Sequence, residues 1–374
     1  MDQYIHRELI IQWANGHQIE RLHADGEWRL EMAPSWSRAD SYRLFSGRNE
    51  KVSTLIFCVP FQHVRASNGI LSVVRFAQIL QVLGIRVVFM CVLSEHPSEE
   101  LIFTKNLRSR MVSNEFENLH SRIGANAQRL GLEFTADPTP LIDEGAVVLY
   151  SERIINNPLC AKKIIRYFGN KNGVLNGGRL VNQGEHDFIL SHSKILHPRA
   201  HHYLYFAEID HEFKETNSLD FNRRETSLTY IGKGHLYGEV GLIDSTLQIT
   251  REFPNNKKDL ANLLRNSKFL FTWDSWTNLI AEAIFCGTIP VLLRSSPFSM
   301  DEINNSENAP IPCIDISKIE YDKRTRGYTL KNQADYELFR QQRDLFMARQ
   351  SYLERYYPFS VQEFLSKLQA HFSI

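Results

Sequence analysis

The chain has 374 residues, of which 43% are hydrophobic and 23% charged, and its 43 basic residues balance 43 acidic ones. A zero net charge gives no global field for nucleic acid, and this length allows two ordinary domains. We find no apolar run long enough to span a membrane and no signal-peptide pattern, so we expect a cytoplasmic protein. An odd number of cysteines without CxxC spacing predicts buried free thiols rather than disulfides or a zinc site: Cys58, Cys91, Cys160, Cys286 and Cys313.

The first half of the chain alternates buried strands with helices after a polar start. Residues 1–50 show no sustained period and are interpreted as an N-terminal extension. The patterns that follow predict, in chain order, a strand at 52–60, a helix at 69–83, a strand at 86–93, a charged helical segment at 99–130, a strand at 146–152, a helix at 158–168 and a strand at 187–194.

The second half contains another α/β series after a polar stretch at 212–225, which we interpret as a linker. We predict strands at 228–231, 247–249, 269–272, 289–293 and 313–316, and helices at 258–266, 279–285, 336–356 and 360–372. The sequence therefore predicts two Rossmann-like α/β domains. The first comprises residues 51–215 and is completed by 357–374, and the second comprises 216–356.

Two carboxylates lie close to the predicted helix 279–285. Asp274 follows a buried strand, and Glu282 interrupts an otherwise apolar helix face. A carboxylate near a buried face requires a partner, and ligands of parallel sheets bind at the carboxyl ends of strands. The alternative is structural: Asp274 caps the helix, and Glu282 pairs with a nearby arginine or lysine.

This segment resembles the donor site of GT-B glycosyltransferases, especially retaining enzymes with two acidic residues separated by seven. The matching positions are Asp274, Glu282, Ala283, Cys286, Gly287, Pro290 and Val291. The resemblance implies a GT-B fold, in which two domains face a cleft and C-terminal helices cross back to the first domain. It also implies that Glu282 holds the ribose of a nucleotide-sugar, that Asp274 lies near the sugar and diphosphate, and that Thr277 belongs to the donor site. The chain departs from the family in having Asp274 where Glu is usual, and SWT where a Gly-rich turn is frequent.

A second donor-site candidate is Gly232-Lys233-Gly234, directly after a predicted strand. Glycines let backbone amides approach a phosphate, and Lys233 supplies positive charge for a diphosphate. Arg251 is a second cationic candidate. The alternative is a plain turn with a solvated lysine. The same stretch nearly matches the dinucleotide motif G-x-G-x-x-G, but Tyr237 replaces its third glycine, which disfavours a dehydrogenase.

Candidates for an acceptor site lie in the first domain. Asn68 and Gly69 precede a helix, in a position that resembles the GT-B turn approaching acceptor and donor sugar. Glu152 ends a strand and could orient the acceptor or act as a base. His63 is the base candidate that an inverting enzyme would use, whereas the paired-carboxylate branch retains configuration without a dedicated base. For these residues the alternatives are an ordinary Asn-Gly turn and a helix-capping Glu152.

The resemblance implies a hexosyl- or deoxyhexosyltransferase that moves sugar from a nucleotide-sugar to a hydroxyl of a glycan or lipid-linked acceptor, in surface polysaccharide biosynthesis. It implies no cofactor and no metal, and the expected partners include no nucleic acid; peripheral contact at the inner membrane face is compatible with a lipid-linked acceptor. Loose spacing favours surface and loop roles over metal binding for His192, His197, His201 and His202. Two alternatives stay open: a nucleotide-sugar epimerase or hydrolase on the same fold, and a non-catalytic binding module.

Overall fold

A computed structural model describes residues 19–22, 28–30, 42–44, 54–59, 68–93, 102–103, 124–206, 208–214, 220–250, 252–293 and 297–372. The chain divides into two compact units. Unit 1 contains Met1–His192, Arg199–Leu204 and Tyr357–Ile374, whereas unit 2 contains Ser193–Pro198 and Tyr205–Tyr356. Each unit is built around a predominantly parallel sheet with helices, so the predicted α/β class with two Rossmann-like units is confirmed.

Unit 1 contains a small antiparallel sheet and a larger, mostly parallel one. The small sheet is formed by β1 (Ile19–Leu22), β2 (Trp28–Leu30) and β3 (Tyr42–Leu44). The strands of the larger sheet are β4 (Thr54–Val59), β5 (Arg86–Leu93), β6 (Ile102–Phe103), β7 (Glu133–Phe134), β8 (Val147–Ser151), β9 (Ile164–Phe168), β10 (Phe188–Ser191) and β11 (His202–Tyr203). Its order is β11-β10-β9-β8-β4-β5-β6, with β7 also paired to β5. Its helices include α1 (Asn68–Val82) and α2 (Thr139–Asp143), and residues 124–129 are also helical.

The apolar sequences of the central strands explain why they lie inside this sheet. The residues from Leu55 to Val59 on β4 and all of β8 are buried, as expected for strands covered on both faces. Helix α1 packs on the sheet through Phe76, whose ring lies 5.4 Å from that of Phe57 and 5.2 Å from that of Phe364. Phe364 lies in the C-terminal segment, which therefore contributes to the core of unit 1.

Unit 2 contains a five-stranded parallel sheet of order β13-β12-β14-β15-β16. Its strands are β12 (Thr226–Tyr230), β13 (Leu247–Ile249), β14 (Ser267–Thr272), β15 (Ile289–Leu292) and β16 (Ile314–Asp315), followed by the hairpin β17 (Ile319–Asp322) and β18 (Gly327–Leu330). The helices are α3 (His211–Lys214), α4 (Lys257–Arg265), α5 (Asn278–Phe285), α6 (Met300–Ile303) and α7 (Gln333–Phe372). The part of α7 up to Tyr356 belongs to unit 2, and the rest belongs to unit 1.

Three sequence predictions about regular structure are wrong. The predicted helical segment 99–130 is helical at residues 124–129, but Ile102–Phe103 form strand β6. The predicted helix 158–168 is absent, because the β-branched and aromatic run at its end forms strand β9, in which every residue is buried. The two predicted closing helices form the single helix α7, which continues through Pro358. Proline disfavours a helix interior without forbidding it, and here Tyr357 before it and Val361 after it are both buried.

Three predictions about environment also differ from the structure. The stretch at 212–225 is not a linker between the units, because α3 lies within unit 2 and buries Phe213 completely in its core. Cys160 is exposed rather than buried. His202 does not lie at the surface: it is buried, and its Nε2 lies 2.8 Å from the carbonyl oxygen of Ser360, which ties β11 to the C-terminal segment.

Across the part of the chain that the structure describes, no helix combines the length and apolarity needed to cross a membrane.

Candidate functional site

The sheet order of unit 2 places the residues after β12 and β14 at a common edge. Strand β13 lies on one side of β12 and β14 lies on the other. The order in which the chain adds strands to the sheet therefore reverses between β12 and β14. Ligands of open parallel sheets bind at the carboxyl ends of strands next to such a reversal. The 3-10 turn Gly232–Tyr237 follows β12, and Asp274 follows β14. The two donor-site candidates predicted separately therefore meet at one place.

Asp274 is the centre of this edge. Only 1% of the residue is exposed, and its two carboxylate oxygens accept hydrogen bonds from the backbone amides of Lys233 and Trp276, both at 3.1 Å. Burial raises the pKa of Asp274 above its ordinary value, and the Lys233 ammonium and the two amides oppose that shift. The carboxylate thus joins the turn after β12 to the loop after β14. Because it is buried, it is not presented to a donor sugar in this structure.

Lys233 approaches the same loop with its side chain. Its Nζ donates a hydrogen bond to the carbonyl oxygen of Trp276 at 2.9 Å and lies 4.0 Å from Asp274 Oδ2. One quarter of the lysine side chain remains exposed, against 2% of the aspartate side chain. A cation is therefore held just before helix α5 and keeps access to solvent.

The two glycines allow the turn and the loop to approach each other closely. Gly232 has φ +53°, and a Cβ atom there would lie 2.8 Å from Asp274 Oδ2, while one at Gly234 would lie 2.4 Å from the Cβ of Trp273. The amide of Lys233 donates to Asp274, and that of Gly234 donates to the carbonyl of Ile231 at 2.8 Å. These two amides are therefore used within the protein. The glycines act here through close packing, not by turning those amides towards a phosphate.

Both ends of helix α5 are fixed. Thr277 is its N-cap, and its hydroxyl accepts a hydrogen bond from the amide of Leu279 at 3.4 Å, so the helix cap is Thr277 and not Asp274. At the other end, Arg343 donates to the carbonyls of Ile284 and Phe285, both at 2.7 Å, and Arg224 donates to those of Cys286 and Gly287 at 3.2 and 2.8 Å. Two guanidinium groups thus satisfy carbonyls at its negative end.

Glu282 lies within α5 and is 7% exposed. Cys286 follows it by one helical turn. Burial raises the pKa of the Cys286 thiol to about 12, Arg265 opposes this shift, and the Glu282 carboxylate adds to it. The second carboxylate of the pair is therefore enclosed by unit 2, as the sequence pattern indicated.

In unit 1 the equivalent reversal of strand order lies between β4 and β8, and Glu152 directly follows β8. Its carboxylate accepts hydrogen bonds from the amide of Gly169 at 3.3 Å and from Nδ2 of Asn170 at 2.7 Å. Asn176 Nδ2 donates to the Glu152 carbonyl oxygen at 2.6 Å. Glu152 is only 6% exposed, and these bonds link it to the segment after β9. It is therefore not the cap of a following helix.

Tyr167 interacts with Ser72 near the start of helix α1 and is influenced by the charge of Glu152. Burial raises the pKa of its phenol, the Glu152 carboxylate adds to the shift, and a hydrogen bond with Ser72 opposes it. The Ser72 hydroxyl in turn donates to the carbonyl oxygen of Gly69 at 2.7 Å. The Ser72 hydroxyl thus ties Tyr167 to the first turn of α1, which begins at Asn68, and the Glu152 carboxylate acts on the Tyr167 phenol through its charge.

Sequence reasoning missed Asn170 and Tyr167, because residues 158–168 were interpreted as a helix and the strand end at Phe168 was not recognised. A Gly-Asn pair directly after a strand is the signal that could have found Asn170. Two predicted site residues, His63 and Arg251, lie outside the described residues, as does the side chain of Asn68. In the portions of the chain with described structure, no group of three His, Cys, Asp or Glu side chains is arranged to hold a metal ion.

No protein-family model matches the chain, and no curated protein sequence matches it. Similar solved structures include the glycotransferase of kitacinnamycin, with 13% identity and a TM-score of 0.43, covering 85% of this chain and 100% of that one. The glycosyltransferase SnogD from Streptomyces nogalater has 13% identity and a TM-score of 0.36, covering 79% and 96%. The spinosyn rhamnosyltransferase SpnG has 10% identity and a TM-score of 0.32, covering 84% and 96%. Similarity at this level is too low to assign a function to the chain.

Proposed function

We propose that the chain is a glycosyltransferase of the GT-B class that transfers a sugar from a nucleotide-sugar to a hydroxyl group of a glycan or lipid-linked acceptor. The observation that carries the proposal is the pairing of Lys233 with Asp274 at the strand reversal of unit 2. Asp274 lies in the loop before helix α5, which bears Glu282, and Lys233 donates a hydrogen bond to Trp276 of the same loop. The order of these residues along the chain is the one that resembles the donor site of that class.

Lys233 is the group best suited to bind the diphosphate. Its ammonium is held near the N-terminal end of α5, where the helix dipole also favours negative charge. The leaving nucleoside diphosphate gains negative charge as the glycosidic bond breaks, and a positioned cation stabilises that charge. In this proposal Asp274 acts mainly by fixing Lys233 and the glycine turn, because both of its oxygens already accept backbone hydrogen bonds.

The remaining donor contacts are assigned by their place in the fold. Glu282 is proposed to bind the ribose hydroxyls, which requires the nucleotide to reach a carboxylate that is 7% exposed. Thr277 caps α5 and so sets the direction of the amides in its first turn. Arg251 remains a proposed second phosphate contact on the strength of its sequence position alone.

Glu152 is the proposed acceptor group in unit 1. Its carboxylate is held by Gly169 and Asn170, and such a fixed orientation suits a group that accepts a hydrogen bond from, or a proton of, the acceptor hydroxyl. Asn68, Gly69 and His63 are retained as acceptor-side proposals. A hexosyl or deoxyhexosyl donor, a role in surface polysaccharide assembly, independence of metal, and a cytoplasmic location at the membrane face are further parts of the proposal.

The test measures release of nucleoside diphosphate from candidate nucleotide-sugars, with and without a mixture of glycan and lipid-linked acceptors. We expect release to depend on the acceptor and to fall at least about tenfold in Lys233→Ala, since contacts to charged groups contribute about 1.5–3 kcal/mol. The matched control is Lys257→Ala, which removes another Lys–Asp pair of unit 2, with an N–O distance of 3.1 Å to Asp210. Release of nucleoside diphosphate without any acceptor would instead indicate a hydrolase, and conversion of the nucleotide-sugar to an isomer without release would indicate an epimerase. Absence of release with every donor and acceptor would contradict the proposal.

A further inference from the structure

Helix α7 carries apolar side chains on two faces, and the residues that the structure describes cover only one of them. Phe339, Phe346 and Leu353 recur every seven residues and are 3%, 0% and 9% exposed, so this face holds the helix on unit 2. Leu338, Leu345 and Tyr352 recur with the same spacing and are 47%, 61% and 50% exposed. Single exposed apolar residues are ordinary, but a row of three at heptad spacing is the pattern of a helix that packs against another helix.

The exposed row has the complete spacing of a coiled-coil seam. Gln341 and Ala348 are also exposed and fall between the three apolar residues, giving intervals of three and four residues along the seam. The seam from Leu338 to Tyr352 extends about 21 Å along the helix axis at the usual helical rise. We call these five residues the α7 seam.

The charges beside the α7 seam favour one kind of partner and one direction. Glu337 and Asp344 follow one side of the seam, and Gln342 and Arg349 follow the other. In a parallel pair of helices, each residue on the acidic side of the seam faces the residue five positions later on the partner helix. Asp344 of one copy would therefore face Arg349 of the other copy. In antiparallel helices the acidic sides would face each other, and like charges there are unfavourable.

We propose that the α7 seam is a self-association surface, on which a second copy of this chain packs with its own α7 parallel to the first. Each copy would then supply both the acidic and the basic side of the contact, as two-fold symmetry requires. The seam covers only about two heptads, so its area is small beside that of a permanent dimer, and the dimer should form at micromolar concentrations. This inference does not depend on the proposed function.

Sedimentation velocity of the full chain from about 1 to 200 μM tests the interface, with the range chosen around the affinity expected for a small interface. Wild type should change from monomer to dimer across this range. Leu345→Asp should raise the dimer dissociation constant at least about tenfold without changing the thermal midpoint, because Leu345 is exposed. The matched control is Leu242→Asp, at a residue of the same unit that is 62% exposed and lies outside α7. A monomer at every concentration, or equal effects of the two substitutions, would overturn the proposal.

A charge exchange tests the parallel direction. Asp344→Arg and Arg349→Asp should each weaken the dimer, and the double variant should recover most of the loss, because the exchanged charges again face each other across the dimer. Arg349 also donates to the carbonyl oxygen of Glu307 at 2.9 Å, so the thermal midpoint of each variant is measured alongside. A double variant that dimerises no better than either single one, with all variants folded, would contradict the parallel arrangement.

Discussion

Replacing Lys233 by Met should destabilise unit 2, because it removes the cation nearest to the buried Asp274 carboxylate. The N–O distance is 4.0 Å, at which two unit charges attract each other by about 4 kcal/mol in an effective dielectric of about 20. The net loss is smaller, since the carboxylate keeps its two backbone hydrogen bonds and a buried pair also carries a desolvation penalty. We expect the free energy of unfolding to fall by about 1–3 kcal/mol at pH 7.

The loss should depend on pH in a defined direction. Burial already raises the pKa of Asp274, and removing Lys233 takes away a group that lowers it, so the pKa in the folded variant rises further. A raised pKa means that the folded state binds the proton more tightly than the unfolded state. The contribution of Asp274 to stability is then complete below its pKa in the unfolded state, and it is lost as the pH rises through its pKa in the folded state. The deficit of Lys233→Met should therefore be largest at neutral pH and shrink as the pH falls towards 3.8, the ordinary value.

Urea unfolding of wild type, Lys233→Met, Asp274→Asn and the double variant gives the coupling energy of the pair. We expect at least about 1 kcal/mol, whereas the more exposed pair of Lys257 and Asp210 should give less. Equal coupling in the two pairs, or a Lys233→Met deficit that stays constant from pH 7 to pH 4, would refute this account of Asp274.

Three further predictions concern other parts of the structure. Asn170→Ala removes a 2.7 Å hydrogen bond to Glu152, so turnover should fall about tenfold or more while nucleotide affinity stays unchanged; unchanged turnover would argue against a role for Glu152. Burial lowers the pKa of His202 from 6.5 to about 4. Its contribution to stability is therefore complete above its pKa in the unfolded state and is lost as the pH falls towards its pKa in the folded state. Urea unfolding should show that the free energy of unfolding falls by about 2 kcal/mol from pH 7.5 to pH 5. A fall of the same size in a His202→Gln variant would show that another group causes it. Arg343→Met leaves two carbonyls of α5 without their donor and should lower the free energy of unfolding by about 2–3 kcal/mol, whereas the exposed Arg340→Met should change it by less than about 0.5 kcal/mol. Equal effects of the two arginine substitutions would contradict the capping role.

The sequence was most informative where a single physical pattern determined the structure. The strand at 86–93 was predicted with its observed bounds, because a continuous apolar run between a glycine turn and a polar segment indicates a buried strand. Lys233 and Asp274 were each predicted as donor-site residues from the resemblance to GT-B glycosyltransferases. The structure places them together although 40 residues separate them, since the neighbouring parallel strands before them end at the same edge of the sheet.

The features that the sequence did not reveal depend on contacts between distant residues. The burial of Asp274 follows from the close packing of the glycine turn on its loop, which no local pattern reports. Arg224 and Arg343 are separated by more than a hundred residues, so their joint action at the end of α5 becomes visible only in the fold. The role of Asn170 was hidden because strand β9 was interpreted as part of a helix.

The central claim, that unit 2 binds the nucleotide part of a nucleotide-sugar, is tested most directly by isothermal titration calorimetry. The full chain is titrated with uridine, guanosine, adenosine, cytidine and thymidine diphosphates at pH 7, where wild type and variants are first shown to be folded. The account predicts that at least one of them binds. It also predicts that Lys233→Ala and Glu282→Gln each weaken that binding about ten- to hundredfold, while Lys257→Ala leaves it unchanged. Failure of every nucleoside diphosphate to bind, or an equal affinity in Lys233→Ala and Lys257→Ala, would contradict it.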